Sequence, residues 1–257
     1  MKDYIAGRGR AMVAKLTNGV PGAFVTLSNL ESFSFALATE KGEHNESESV
    51  NSLLDASWIN KKSGTIETEM SDVNKANARL MFSARVFEVA ASTATAEVIA
   101  AALPAVGDIL TLRRGLATSV VIKDSTGSPK TLVAGVNYNL RDGGAFGSLD
   151  VIDITTGGPF VAPIKADYSY GSQSRATLLT SSDDEYVLRF EGISKANNAR
   201  YLYEFWRAKF GAADKTDLIG NEVAKPKVTI SLLADTSKTE DGEFGQFGRM
   251  TYLGVPA

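Results

Sequence analysis

Cysteine is absent from the 257-residue chain. That excludes disulfides, thiolate nucleophiles and Cys-ligated zinc or iron–sulfur sites. Histidine occurs once, at His44, so a mechanism needing two imidazoles is excluded within one chain. There is no basic excess either: Lys+Arg 27 against Asp+Glu 30 leaves a formal charge of −3, whereas a tight nucleic-acid binder normally carries a basic field. The longest apolar-leaning run, residues 86–106, is broken by Glu88, Ser92, Thr93, Thr95, Glu97 and Pro104. A membrane span needs about 20 mostly apolar residues, so no transmembrane helix and no membrane partner are expected. The first ten residues lack an apolar core of signal-peptide length, and the expectation is a protein kept without export. The lack of cysteine agrees with that.

What is present is mostly strand. Residues 12–16 and 23–27 are short apolar runs around Thr17-Asn18-Gly19-Val20-Pro21-Gly22, turn chemistry that predicts a hairpin. Over residues 31–39, Phe33, Phe35 and Leu37 alternate with Ser32, Ser34 and Ala36, a strand period. Residues 40–51 are polar and acidic without periodicity and read as a loop. Ser63-Gly64 then opens a strand over 65–70, with Ile66, Thr68 and Met70 on one face and Thr65, Glu67 and Glu69 on the other. One helix is predicted at 72–86, with Ser71-Asp72 as N-cap candidates and Val73, Ala76, Leu80 and Ala84 forming its apolar stripe.

The composition changes over residues 88–168, which are rich in Ala, Val, Thr, Gly and Pro. Short strands at 119–123, 130–134 and 150–154 with Gly/Pro turns between them indicate a small β module inserted into a larger one. Strong strand patterns resume at 166–173, 185–193, 201–210 and 225–234. Tyr201, Tyr203 and Phe205 alternate with Leu202, Glu204 and Trp206, so both faces of that strand carry large side chains and both need covering. In the last strand Val228, Ile230 and Leu232 form a buried face, and Lys227, Thr229 and Ser231 a wet one. Residues 239–249, with Phe244 and Phe247 among spaced glycines, read as a C-terminal arm. The fold class is therefore mainly β with one flanking helix: a discontinuous core of residues 1–87 and 169–257, and an inserted β-rich, Ig-like domain at 88–168.

Candidate chemistry is sparse. A triad would have to use His44, which lies among carboxylates in the polar stretch without the orientation and desolvation a general base needs. Metal binding by His44 with Glu43, Glu46 and Glu48 is a weak signal, because carboxylates at such spacing are commonplace. Gly7-Arg8-Gly9-Arg10 precedes a strand, and Gly242, Gly245 and Gly248 precede no helix, so neither is a dinucleotide fingerprint. Asn45-Glu46-Ser47 matches a glycosylation acceptor by spacing alone. No catalytic, cofactor or metal site is expected, and the chain does not read as an enzyme. Charge is more telling: residues 40–72 hold eight acids against three lysines, a local −5 that exceeds the whole chain's −3.

Taken in order, Gly7-Arg8-Gly9-Arg10, Leu30-Glu-Ser-Phe-Ser-Phe, Glu43-His44-Asn-Glu-Ser-Glu-Ser, Lys62-Ser-Gly-Thr-Ile-Glu-Thr-Glu, Asn74-Lys-Ala-Asn, Ala166-Asp-Tyr-Ser-Tyr-Gly, Tyr186-Val-Leu-Arg-Phe-Glu-Gly and Gly242-Glu-Phe-Gly-Gln-Phe-Gly-Arg resemble the siphophage major tail proteins, the subunits of the tail tube. The resemblance covers roughly residues 4–87 and 166–250. It implies a tail-tube-type β-sandwich or barrel with one flanking helix, six copies closing a ring, and rings stacked into a tube that conducts genomic DNA into the host. It further implies tape-measure, tail-terminator and tail-tip partners, double-stranded DNA passing without specific binding, assembly in the bacterial cytoplasm and a place in the virion tail. On that footing Glu67 and Glu69 are expected to face the lumen. Glu43, His44, Glu46, Glu48, Lys61 and Lys62 are expected in a loop contacting the next ring, and Arg8, Arg10, Phe244, Phe247 and Arg249 in inter-subunit arms. The other reading is a β-sandwich binding or decoration module on a virion or cell surface. The insertion's few aromatics argue against a sugar site there, which usually needs a stacking ring.

Overall fold

The computed structural model describes residues 7–27, 29–47, 52–72 and 74–255. Glu48 and Val73, both named above, lie outside the described residues. The chain divides into two units, Met1–Val86 with Ala176–Ala257 and, between them in sequence, Phe87–Arg175.

In chain order the strands are β1 (Gly7–Thr17), β2 (Val20–Pro21), β3 (Val25–Thr26), β4 (Leu30–Asn45) and β5 (Leu54–Met70), then helix α1 (Lys75–Met81). There follow β6 (Arg85–Val89), β7 (Ser92–Ala100), β8 (Ile109–Thr111), β9 (Ala117–Lys123), β10 (Thr131–Leu132), β11 (Tyr138–Leu140), β12 (Ser148–Val151) and β13 (Ile164–Tyr170). The last five are β14 (Gln173–Thr177), β15 (Glu185–Ser194), β16 (Arg200–Phe210), β17 (Lys227–Leu233) and β18 (Gly248–Gly254). The protein is mainly β, with one large antiparallel sheet, several small sheets and one short α-helix.

The large sheet runs β2-β1-β15-β16-β17-β5-β4, with β3 also on β1 and β18 also on β16. Its N-terminal hairpin turns at Asn18-Gly19, where both residues have positive φ (52° and 78°), the geometry that matches the twist of flanking strands. The predicted second strand of that hairpin is split into β2 and β3. One face of the sheet is the core of this unit: Ala11, Val13, Ile66, Met70, Leu188, Phe205, Val228 and Ile230 are buried together with Leu80 and Met81 of α1.

The helix is shorter than the predicted 72–86. Its N-cap is Asn74, whose side-chain oxygen accepts from the Asn77 amide at 2.9 Å. The Asp72 carbonyl accepts from the buried Asn77 side chain at 2.8 Å. At the other end Ser83 takes φ 44°, outside the helical region, and the chain enters β6 from residue 85.

The unit at Phe87–Arg175 has its own core of Ile122, Leu149, Ile164, Tyr138, Phe160 and Tyr168. Its sheets are β10-β9-β13-β7 and β11-β12-β8. The predicted strand at 150–154 ends at Val151, because the amides of Ile152 and Asp153 both donate to the Asn137 carbonyl. Fully buried Asn137 anchors that corner: its side chain accepts from the Val133 amide and donates to the Asp153 and Thr156 carbonyls. The strand predicted at 130–134 shrinks to β10, while β7, β8 and β11 were not foreseen.

Candidate interaction surfaces

Of residues 40–51, expected as a loop, residues 40–45 instead continue β4, residues 48–51 lie outside the described residues, and β5 starts at Leu54. The two strands pair from Leu30↔Met70 out to Asn45↔Leu54. Strand β17 leaves β5 at Leu232↔Gly64. From there outward β4 and β5 have only each other as strand partners among the described residues. The resulting arm, Ala38 to Asn45 on β4, is roughly 25 Å long at 3.3 Å per residue. Gly64, expected to open the strand, lies inside it as a close approach: a Cβ there would meet Leu232 at 2.8 Å.

The arm displays apolar side chains to solvent. Leu53, Leu54, Trp58 and Ile59 are each more than half exposed, at 60%, 57%, 51% and 52%. Trp58 lies against Gly42, where a Cβ would fall 2.5 Å from the indole nitrogen, and that nitrogen donates to Asn60 Oδ1 at 2.8 Å. Isolated two-stranded ribbons are marginal in water, and exposed apolar side chains of this size make the arm a candidate contact surface. Leu53-Leu54 and Trp58-Ile59, between the polar residues 40–51 and the strand expected at 65–70, are the sequence signal for this surface.

The residues expected in an inter-ring loop lie on this arm. Glu43 faces Ser57 across the ladder, His44 faces Ala56 and Glu40 faces Lys61. Lys62, near the arm's root, is ion-paired with Glu240. Glu48 lies outside the described residues. His44 is exposed. Among the described residues no three His, Asp or Glu side chains are grouped to hold a metal ion.

Glu67 and Glu69 sit on the wet face of β5, opposite fully buried Ile66, Thr68 and Met70, in the alternation read from the sequence. Ser34 on β4 and Thr229 on β17 flank Glu67 in register. The Lys227 ammonium reaches Glu67 at 2.8 Å, and this carboxylate beside it raises the lysine's pKa. The face is therefore hydroxyl-rich, with its acids partly balanced by a lysine.

The second large face of β16 is covered at Trp206 from within the chain. Trp206 donates from its indole nitrogen to the carbonyls of Phe244 and Gly245 at 3.1 and 3.0 Å, and its ring meets Phe244 edge-on at 6.0 Å. Lys238 and Arg249 flank that ring at 5.0 and 5.8 Å. Phe247 packs on the core, and Arg249 is paired with Glu204 at 2.7 Å. Residues 248–254, beginning inside the expected arm, are strand β18, paired to β16. Phe244, Phe247 and Arg249 thus fold back onto their own sheet.

Arg8 and Arg10 are likewise not on a free arm, since β1 is paired with β15 from Gly7↔Ser194. They line a groove of about 530 Å³ on the outward side of β1, β15 and β16, together with Arg200, Ile193, Leu202 and Leu253. Arg189 at its margin is paired with Glu191 and Glu204 at 3.2 and 3.4 Å. Arg200 and the apolar walls escaped the sequence reading, because only pairing of β1, β15, β16 and β18 assembles them.

These features define a class: a mainly-β chain of two units, whose large sheet runs out into a two-stranded arm and carries an arginine-lined groove. Residues 4–251 match the family described as protein of unknown function UCP028589, and the chain belongs to that family. Comparison with curated proteins finds none that matches it. Among the described residues no helix is long and apolar enough to cross a membrane.

Proposed function

We propose that this chain is the structural subunit of a bacteriophage tail tube, six copies closing a ring and rings stacking into a hollow conduit for double-stranded DNA. The observation that carries the reading is the arm. A two-stranded ribbon displaying Leu53, Leu54, Trp58 and Ile59 has surface that a partner copy would bury. The outer edge of β4, unpaired among the described residues, supports it, since an exposed strand edge is otherwise an aggregation liability and is used up when sheets join between copies. The resemblance of the flanking segments to major tail proteins supports the particular assembly.

The wet face bearing Glu67 and Glu69 is the wall proposed for the lumen. A basic wall would gain counterion-release affinity at every phosphate and stall the DNA. A wall of Ser34, Thr65, Thr229 and Ser231 with Lys227-tethered Glu67 offers DNA little to hold. Six copies at −3 give roughly −18 per ring, repelling phosphate along the channel. The tape-measure, terminator and tip proteins, and a place in the virion tail after cytoplasmic assembly, are proposed on the same footing. No catalytic or cofactor role is proposed.

Negative-stain electron microscopy of the concentrated purified protein tests the reading. Rings or tubes of uniform diameter are the expected result. Monomers at every concentration, with the fold intact by circular dichroism, would overturn it.

A further inference from the structure

The groove on β1, β15 and β16 has chemistry left over. Arg8, Arg10 and Arg200 are exposed and make no ion pair with any described residue, while Arg189 beside them is already held by Glu191 and Glu204. Arg8 and Arg10 are two residues apart on one strand, so their side chains leave the same face from Cα atoms roughly 7 Å apart. Ile193 and Leu253, 47% and 60% exposed, form apolar walls. A partner for this surface must bring carboxylates and apolar side chains together.

The arm carries that combination. Its described residues hold four acids, Glu40, Glu43, Glu46 and Asp55, against three lysines gathered towards the root, Lys41, Lys61 opposite Glu40 and Lys62 paired with Glu240; the outer part, Gly42 to Ser47 and Ser52 to Asn60, carries Glu43, Glu46 and Asp55 and no lysine. Leu53, Leu54, Trp58 and Ile59 are interleaved with them. In its own chain the arm contributes nothing to the groove, which is lined from β1, β15, β16 and β18 alone.

The register also fixes how two copies would meet. Beyond the end of β17, strand β5 continues from Gly64 towards Leu54 and β16 from Arg207 towards Arg200, both in the same direction. Ile193 and Arg8 pair at that same end. Arm and groove therefore lie at one end of the sheet, which suits a side-by-side contact rather than an end-to-end one. An arm entering a groove is a heterologous contact between two different surfaces, the kind that generates a ring when its rotation closes.

We infer that the acidic, apolar arm of one copy docks in the arginine groove of a second copy beside it. This rests on the self-assembling reading above and moves the arm's contact from the next ring to the neighbour within a ring. Charge opposition across the contact speeds and orients docking, and the apolar side chains supply burial.

The test uses two full-length charge-reversal variants, Arg8→Glu/Arg10→Glu/Arg200→Glu in the groove and Glu40→Lys/Glu43→Lys/Asp55→Lys on the arm, in a Trp206→Phe background that leaves Trp58 as the fluorescent reporter. Sedimentation velocity and Trp58 emission are read against protein concentration. Each variant alone should need at least about tenfold more protein to associate and should lose the blue shift of Trp58 seen on association. An equimolar mixture of the two should recover both, because every contact in a mixed assembly then joins opposite charges. Variants that associate like the parent, or a mixture that fails to recover while both remain folded by circular dichroism, would overturn the groove assignment and leave tube formation standing. A parent that forms charge-sensitive small oligomers but no tubes would keep the groove and overturn the tube. A parent that stays monomeric would overturn both.

Discussion

The Phe33 ring stacks on the Phe190 ring at 4.9 Å between centroids and 3° between planes, although three strands separate β4 from β15 in the sheet order. A flat sheet would hold those side chains some 19 Å apart at about 4.8 Å per strand. The large sheet is therefore coiled enough for its core face to close on itself. Two glycines make room for the inner ring: a Cβ at Gly9 would lie 2.2 Å from Phe190, and one at Gly192 would lie 2.9 Å from it.

That closure should be measurable as coupling. Phe33→Ala and Phe190→Ala, combined in a double-mutant cycle by urea denaturation, should show an interaction of about 1 kcal/mol, as stacked aromatic pairs do. Strict additivity would mean that the rings do not hold the sheet's two ends together.

Gly248 starts β18 where no other residue fits. Its φ is +155°, and a Cβ would lie 2.2 Å from the Glu204 carbonyl oxygen. Gly248→Ala should cost about 2 kcal/mol or more and release β18 from β16. Amide exchange at the β16 residues paired with β18, Leu202 and Glu204 among them, should accelerate, with those paired to β17 unaffected.

The segment covering Trp206 should open in acid. The Ser237 hydroxyl, donating to Asp235 at 2.6 Å, and then the Lys238 ammonium hold the Asp235 carboxyl down at about 2, against an ordinary 3.8. A folded-state value below the unfolded one means that the carboxylate's stabilisation is complete above about pH 4 and is lost as pH falls towards 2. In a Trp58→Phe variant, Trp206 emission should shift to the red over that window. Asp235→Asn should show the red-shifted emission at neutral pH as well.

Removing the arm should spare the fold. Thr39 and Lys62 face each other across the ladder, so replacing residues 40–61 with Asn-Gly closes a two-residue hairpin in register. The core of this unit contains no arm residue, so the melting temperature should change by only a few degrees while self-association is lost. A collapsed melting temperature would make the arm part of the folding unit.

The proposed lumen face predicts a gain of function. Tubes of the parent should not retain double-stranded DNA. Tubes of Glu67→Lys/Glu69→Lys should bind it, with affinity falling steeply as salt rises. Equal binding by both would place these residues elsewhere than the lumen.

The sequence by itself determined the periods. Strands β15, β16 and β17 and the buried and wet faces of β5 followed from alternation, because each has one face in the core and burial imposes a period of two. The Asn18-Gly19 turn followed from positive φ. The arm was invisible for the same reason: with neither face buried from Ala38 to Asn45, nothing selects alternation, and Leu53, Trp58 and Ile59 fall between the polar residues 40–51 and the strand at 65–70 without a period of their own. The helix end at Ser83 was hidden because the apolar spacing continues to Ala84, which is buried although no longer helical. Only the tertiary structure decided that Trp206 is covered by residues 244–249 of its own chain. It alone gathered Arg8, Arg10 and Arg200 with Ile193 and Leu253 into one groove, since strand pairing joins residues nearly two hundred positions apart and a one-residue change of register would scatter them to opposite faces.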